Sequence, residues 1–236
     1  MATTNSKVYA VILAAGKGVR FGGKLPKQYR TINGKQVIEY TIGKFDRHPM
    51  IDGLVVVIES QYEYLYDNVE HSKPMYLCYG GSTGQESFHN ALKYLDVSVG
   101  IKSGDIVIEH DGDRPLVDER IITDCVESAM IHGNGCTAIF STDYIMATNG
   151  KNLAYGDHKR NLMRTQTPHA FTFRDIKGVY DYAEEMGIGG IVAPCDIIEI
   201  YKKPLRIVEG STLNGLKITT KEDFDIIKTL IKHGRY

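Results

Sequence analysis

The sequence predicts an α/β sandwich built on a mostly parallel β-sheet. Three observations predict it: apolar runs without polar alternation, segments of helical apolar spacing between them, and glycine-rich breaks where the runs end. Val8 to Ala14 (VYAVILA) is the first run and fits a central strand buried on both faces. Val37 to Phe45 has helical spacing, and Leu54 to Ile58 (LVVVI) is a second buried strand. Tyr76 to Tyr79 makes a short third strand. Ser87 to Leu95 is helical, with Phe88, Ala91, Leu92 and Leu95 on one face. Asp105 to Glu109 (DIVIE) is a fourth strand, ending at His110-Asp111. Arg120 to Ile131 is a helix, Thr137 to Phe140 a strand, and Thr172 to Met186 contains a helix. Ile197 to Tyr201 and Leu205 to Val208 are strand candidates. Lys221 to Ile231 is the last helix, with Thr219-Thr220 as its caps. Residues 141–165 are polar, contain Asn149-Gly150, and predict a hairpin that projects as an arm, serving subunit contact, substrate cover or merely the surface. One domain over residues 1–236 is expected, with the arm as its appendage.

Composition narrows the function. The chain has 236 residues, 42% of them hydrophobic and 24% charged, with a formal net charge of −1. No basic field argues for nucleic acid. No apolar run approaches the roughly 18 residues of a membrane span, and the first residues lack the pattern of a signal peptide. Cys78, Cys125, Cys136 and Cys195 show no CxxC spacing, which predicts buried thiols in a reducing compartment, the cytoplasm.

In such sheets ligands bind beyond the carboxyl ends of the strands, and three motifs sit there. The first is Leu13-Ala14-Ala15-Gly16-Lys17-Gly18-Val19-Arg20-Phe21, followed by Pro26-Lys27-Gln28-Tyr29. Small residues let backbone N–H groups approach phosphate oxygens, and Arg20 and Lys27 add full charges. Such cations favour the charge that builds on an α-phosphate and a departing pyrophosphate. The loop is neither a Walker A sequence nor GxGxxG. The second motif, Gly80-Gly81-Ser82-Thr83-Gly84-Gln85-Glu86-Ser87, precedes a helix. Ser87 serves there either as a donor to a base edge or as a helix cap. The third, His110-Asp111-Gly112-Asp113-Arg114-Pro115, places Asp111 to hold Mg²⁺ or another divalent cation. Its plainer interpretation is a charged turn with an internal Asp–Arg pair. Two further stretches are polar loops with a cation when taken alone: Arg160 with Arg164-Thr165-Gln166-Thr167-Pro168-His169, and Val208-Glu209-Gly210-Ser211 with Asn214 and Lys217-Ile218-Thr219-Thr220.

Taken in order, the strings AAGKGVRF, PKQY, HDGDRP, RTQTPHAF and VEGS…NGLKITT…ED resemble the family of methylerythritol-phosphate and ribitol-phosphate cytidylyltransferases, from residue 13 to residue 223. The resemblance implies a Rossmann-like three-layer fold with a protruding β-arm that joins two subunits into a homodimer. It implies an enzyme that moves CMP from CTP to a small polyol phosphate, releasing pyrophosphate. By position, Leu13 to Gly18 would line the CTP site, and Arg20 and Lys27 would act at the α-phosphate. Gly80, Gly81, Ser82 and Ser87 would hold cytosine and ribose, with Gly112 and Arg114 beside the metal-binding Asp111. Arg160 and Lys217 would position the acceptor's phosphate, with Thr167 near it.

The chain departs from that pattern in places. Gly84 stands where the family has an arginine, and Gln85 is the nearest polar substitute. Asp113 adds a carboxylate to the usual triplet, either for the metal or to pair with Arg114. Val192-Ala193-Pro194-Cys195-Asp196 is the segment where the family has Thr-Asp, and Ala193-Pro194 departs from that polar pair. The Arg160 to Thr167 spacing is one short, which makes Lys159 an alternative to Arg160. These departures favour ribitol 5-phosphate or a related polyol phosphate over methylerythritol 4-phosphate. Two other classes compete: a glycosyltransferase, because Asp111-Gly112-Asp113 resembles a DxD motif, and a nucleotide-binding protein without catalysis.

Overall fold

The computed structural model describes residues 6–143, 145–148, 153–157, 162–191 and 194–234. It begins with β1 (Val8–Leu13), a 3-10 turn at Lys27–Tyr29, and a small ribbon of β2 (Thr31–Ile32) and β3 (Lys35–Gln36). There follow α1 (Val37–Arg47), β4 (Gly53–Ile58), β5 (Met75–Tyr79), α2 (Gly84–Tyr94), β6 (Ile106–Asp111), α3 (Glu119–His132) and β7 (Asn134–Phe140). Next come β8 (Ile145–Thr148), β9 (Leu153–Asp157) and β10 (Met163–Thr172). The chain finishes with α4 (Phe173–Glu185), α5 (Pro194–Tyr201), β11 (Ile207–Glu209) and α6 (Lys221–Lys232).

Seven strands form one sheet in the order β11-β7-β10-β6-β1-β4-β5. β10 pairs antiparallel with both β6 and β7, while the other pairings are parallel. β1 lies between β4 and β6, and helices pack on both faces of the sheet there, which is why VYAVIL is apolar without alternation. Ala10, Ile12, Ile106 and Ile108 face one apolar layer with Ile38, Ile42 and Phe45 of α1 and Ile121, Ile122 and Val126 of α3. Val11, Val55 and Val107 face the other, with Phe88 and Leu92 of α2 and Ile176, Val179 and Tyr180 of α4. These are the layers of a three-layer α/β fold. α6 closes a corner cluster through Ile227 and Ile231 against Ile32, Val37 and Ile218.

Local chemistry sets the helix ends. Thr83 caps α2 by accepting the Glu86 N–H. Asp118 caps α3, and Gly133, at φ +85°, ends it in the left-handed conformation that glycine adopts without strain. Thr220 and Asp223 form a capping box on α6.

The hairpin expected at 141–165 is narrower than that span. β8 and β9 pair in a two-stranded sheet of their own, and residues from Met163 onward already belong to β10. Ile197–Tyr201, expected as a strand, lies in α5. Pro194 at the first helical position and Asp196 in the first turn are helix-start signals that outweigh the β-branched run. Cys78, Cys125 and Cys136 are free buried thiols. Burial pushes the Cys125 thiol up to about 12, which makes it a poor nucleophile. No helix among the described residues is long and apolar enough to cross a membrane.

Candidate active site

Strands β1, β4, β5 and β6 run parallel, so their carboxyl ends open on one edge of the sheet. A cleft of about 440 Å³ lies there, lined by residues 13–20, Lys27, Gln28, Gly81 to Gly84, Ser87, Asp111, Asp113, Lys217 and Thr219. It gathers five stretches of sequence around one space.

The loop after β1 is held from behind. Gln28 donates from Nε2 to the carbonyls of Ala14 at 2.7 Å and Gly16 at 2.9 Å. Those carbonyls are thereby occupied away from the cleft, which suits a loop that must meet anionic oxygens. Gly18, at φ +63°, turns the chain, and Phe21 and Gly22 both donate to its carbonyl. Arg20 rides on this turn, exposed at the cleft's rim. Lys27 is buried and its Nζ lies 2.6 Å from Asp113 Oδ2. Asp113 therefore pairs with Lys27, and Arg114 pairs with Asp111 instead.

The second wall is the N-terminus of α2. Thr83 takes the cap position, so Ser87 is not the cap. Ser87 Oγ instead accepts the Gly81 N–H at 3.1 Å and fixes the loop's path. Glu86 Oε2 accepts from Ser82 N and Oγ at 2.7 and 2.6 Å. Gly80 does not line the cleft. A Cβ there would meet the Ala15 Cβ at 2.4 Å, so glycine is what lets the two loops touch. Gly112 also lies behind the cleft, donating to the Leu13 carbonyl at 2.9 Å with Ile38 packed against it. A Cβ at Gly84 would meet nothing within 4 Å. Gln85 faces away from the cleft and holds Ile188 O and Ile191 N.

Asp111 is the charge centre. Its Oδ2 accepts from Arg114 Nε at 2.8 Å and Lys217 Nζ at 2.9 Å. Burial alone would raise this carboxyl; the Lys217 ammonium and the Arg114 guanidinium overcome that and hold it well below the usual carboxylate range. Burial likewise opposes the charge on Lys217, and Asp111 and Asp113 outweigh it, so the ammonium titrates higher than usual. Asp113 differs: burial and the Asp111 charge raise its carboxyl despite Lys217 and Lys27. Its Oδ1 is buried without a hydrogen-bond partner. That orphaned oxygen, with the Asp111 Oδ1 that neither cation takes, fits a hard divalent cation completing its shell with phosphate oxygens. Among the described residues no three His, Cys, Asp or Glu side chains gather as a protein-only metal cage.

His110 orients this centre. Its Nε2 donates to the Arg114 carbonyl at 3.0 Å, and its Nδ1 accepts from the Thr167 hydroxyl at 3.0 Å. Thr167 Oγ1 in turn accepts the Asp111 N–H at 3.2 Å. Burial pushes His110 down to about 4, so the ring is neutral near pH 7 and its tautomer follows from its partners.

A second pocket, of about 280 Å³, adjoins the cleft and shares Leu13, Gly84, Asp111 and Lys217 with it. Arg114, Glu109, Thr165, Gln166, Thr167, His169, Tyr180 and Ile191 complete its lining. Thr167 and Lys217 thus meet in one place, and Arg114 belongs to this pocket rather than the cleft. Asn214 ties the wall together, donating to Gln166 Oε1 and the Thr167 carbonyl at 2.9 and 3.0 Å. Arg160, Lys159, Val192 and Ala193 lie outside the described residues. The sequence pattern did not reveal Gln28 as the loop's clamp or Glu109 as a pocket residue. The signal for Glu109 was a carboxylate within an otherwise apolar strand.

Comparison with known proteins agrees with this geometry. The family model described as IspD, 2-C-methyl-D-erythritol 4-phosphate cytidylyltransferase, matches residues 8–233. The ribitol-5-phosphate cytidylyltransferase of Lacticaseibacillus paracasei is 31% identical over 95% of this chain and 98% of its own length. The 2-C-methyl-D-erythritol 4-phosphate cytidylyltransferase of Clostridium kluyveri is 31% identical over 97% and 98%. The crystal structure of the Francisella tularensis 2-C-methyl-D-erythritol 4-phosphate cytidylyltransferase superposes with a TM-score of 0.80 at 26% identity, covering 95% of this chain and 99% of that one. The triphosphate-sized cleft of small residues and cations and the match over nearly the whole chain lead to one assignment: this chain belongs to the IspD family and is a CTP-dependent cytidylyltransferase.

Proposed function

We propose that the acceptor is ribitol 5-phosphate or a related polyol phosphate, so that the product is a CDP-polyol. The observation that carries this is the second pocket. It is lined with hydroxyl, amide, imidazole and carboxyl groups, and it joins the nucleotide cleft through Asp111 and Lys217. Relatives bearing the ribitol-5-phosphate name, from Lacticaseibacillus paracasei at 31% identity and Vibrio parahaemolyticus at 32%, support the same acceptor.

An oxygen of the acceptor's phosphate attacks the α-phosphorus of CTP. The new P–O bond forms as the bond to the β-phosphate bridging oxygen breaks, and its electron pair leaves with pyrophosphate. The attacking phosphate is ionised near neutral pH, so no general base is needed. Arg20 and Lys27 meet the charge that grows on the transferring and leaving phosphates, and backbone groups of residues 13–18 hold the triphosphate. Lys217, with Arg160, draws in the acceptor's phosphate. Gly81, Ser82 and Ser87, which line the cleft, would hold the base and ribose. Asp111, with Asp113, would hold Mg²⁺, which supplies neutralisation of phosphate charge. The β8–β9 arm would join two subunits into a homodimer, working in the cytoplasm where CTP is made.

Methylerythritol 4-phosphate is the second candidate, because the matched family model and the Francisella structure carry that name. Pyrophosphate release from CTP and Mg²⁺ with ribitol 5-phosphate, methylerythritol 4-phosphate, glycerol 3-phosphate and hexitol phosphates decides between them. Release with ribitol 5-phosphate above all others is the expected outcome. Release with methylerythritol 4-phosphate alone overturns the acceptor assignment.

A further inference from the structure

Across the sheet, strand register sets Cys136, His169, Glu109, Val11 and Val55 side by side in one row. Cys136, Val11 and Val55 belong to the apolar layer beneath α2 and α4. Glu109 and His169 interrupt that row with two polar groups directly opposite each other. Both line the second pocket and neither lines the nucleotide cleft. His169 is 4% exposed, and its Nδ1 is buried with no hydrogen-bond partner. The half-buried Glu109 carboxyl has no hydrogen-bond or ion-pair partner within reach among the described residues, although the Lys217 ammonium attracts it from further off. A carboxyl and an imidazole left unpaired in an apolar layer are destabilising, and structures retain such groups where a ligand completes them. The pocket is polarised as well. Lys217 and Asp111 mark the side shared with the nucleotide cleft, while Glu109, His169 and Tyr180 lie on the side that the cleft does not reach.

We propose that Glu109 and His169 are the specificity-determining pair of this enzyme, accepting and donating hydrogen bonds to the hydroxyl groups of the acceptor's carbon chain while Lys217 takes its phosphate. A carboxyl oxygen accepts from a hydroxyl whether or not the group is ionised, and the imidazole offers one acceptor and one donor. A five-carbon polyol phosphate offers hydroxyl groups to both residues; a three-carbon acceptor, held by its phosphate at Lys217, offers fewer. Tyr180 and Ile191 close one side, and Gln166 and Thr167 are already hydrogen-bonded within the protein, whereas Glu109 and His169 are not. The inference rests on the polyol-phosphate assignment above and deepens it.

The test uses the full-length enzyme and its Glu109→Val, Glu109→Gln and His169→Phe variants. Initial rates of pyrophosphate release would be measured with saturating CTP and either ribitol 5-phosphate or glycerol 3-phosphate, alongside thermal melting. A site built to hydrogen-bond a hydroxyl discriminates strongly, so Glu109→Val should lower kcat/KM for ribitol 5-phosphate by about tenfold to a hundredfold. Glycerol 3-phosphate should change by less than about threefold, as should the KM for CTP. Glu109→Gln, which keeps an acceptor oxygen, should recover part of the loss. Glu109→Val should also melt no lower than the wild type, because valine suits the apolar row. Equal losses with both acceptors, or a lowered melting temperature with unchanged acceptor preference, would overturn the proposal and leave a structural role. Wild-type enzyme that is silent with every polyol phosphate but turns over another acceptor strikes at the acceptor class itself and takes this inference with it.

Discussion

The two halves of the active site are built by different means. The cleft, the proposed nucleotide half, is made largely of local stretches: the loop after β1, with Lys17, Arg20 and Lys27 on it or close behind, and the loop before α2. The second pocket, the proposed acceptor half, is made of side chains delivered by register from β6 and β10, from α4, and from the segment after β11. The first is lined by loop backbone, the exposed Arg20 and the buried Lys27. In the second, buried ionisable groups set one another's charge, as Lys217 and Arg114 do for Asp111. A loop of consecutive residues is visible as a string, whereas a pocket made by strand register is not.

Four experiments sharpen or break that contrast, the largest effect first. Lys27→Ala should lower the rate of pyrophosphate release by about a hundredfold, the effect of removing one preorganised charge from a transition state. It also strands Asp113, so the variant should melt at lower temperature, and adding Asp113→Asn should restore stability without restoring turnover. If turnover returns as well, Lys27 serves the fold rather than the chemistry.

The second concerns acid. Burial pushes His169 down to about 3, against an ordinary value near 6.5. The unfolded chain therefore takes up this proton more readily than the native one. The native state keeps the full contribution above pH 6.5 and loses it progressively down to about pH 3. Urea titrations at pH 7.5 and 5 should show a drop that His169→Gln reduces; equal drops in both proteins would rule out His169 as a source.

Gln28→Ala should come third. It releases the Ala14 and Gly16 carbonyls and should raise the KM for CTP by about tenfold, with the acceptor KM little changed. An effect confined to the acceptor would erase the division between the halves. The smallest effect is expected from Gly84→Arg. The site has room for a side chain and borders both pockets, so the variant should fold normally and alter either KM by less than about threefold. Melting and steady-state rates together check this.

The same contrast explains what was legible in the sequence. β1, β4 and the helices of the sandwich were readable because burial on two faces, or on one helical stripe, writes itself as composition. β10 was not read as a strand: Arg164, Thr165 and Gln166 are polar, and the register shifts between Thr165 and His169, so the segment resembles a loop. α5 was misjudged because Ile197, Ile198 and Ile200 favour strands in isolation, while packing of Ile197 and Tyr201 beneath the sheet decides otherwise. The three strand-end motifs lie at one edge, and of the two polar stretches Thr165 to Thr167, His169 and Lys217 border it, while Arg160 lies outside the described residues. An Asp–Arg pair within HDGDRP was among the expectations, but nothing in the string shows that Asp111 takes it together with Lys217 while Asp113 turns to Lys27.

The bond between Lys217 and Asp111 spans 106 residues. It also orders events in time. As the chain leaves the ribosome, the loops for the nucleotide emerge first, and Asp111 follows with Arg114 as its local counter-charge. Its second cation arrives only after β7, the β8–β9 arm, β10, α4, α5 and β11 have been made. A chain stopped short of residue 217 would hold Asp111 against Arg114 alone, so the last fifth of the sequence completes the charge balance of a centre laid down near its middle.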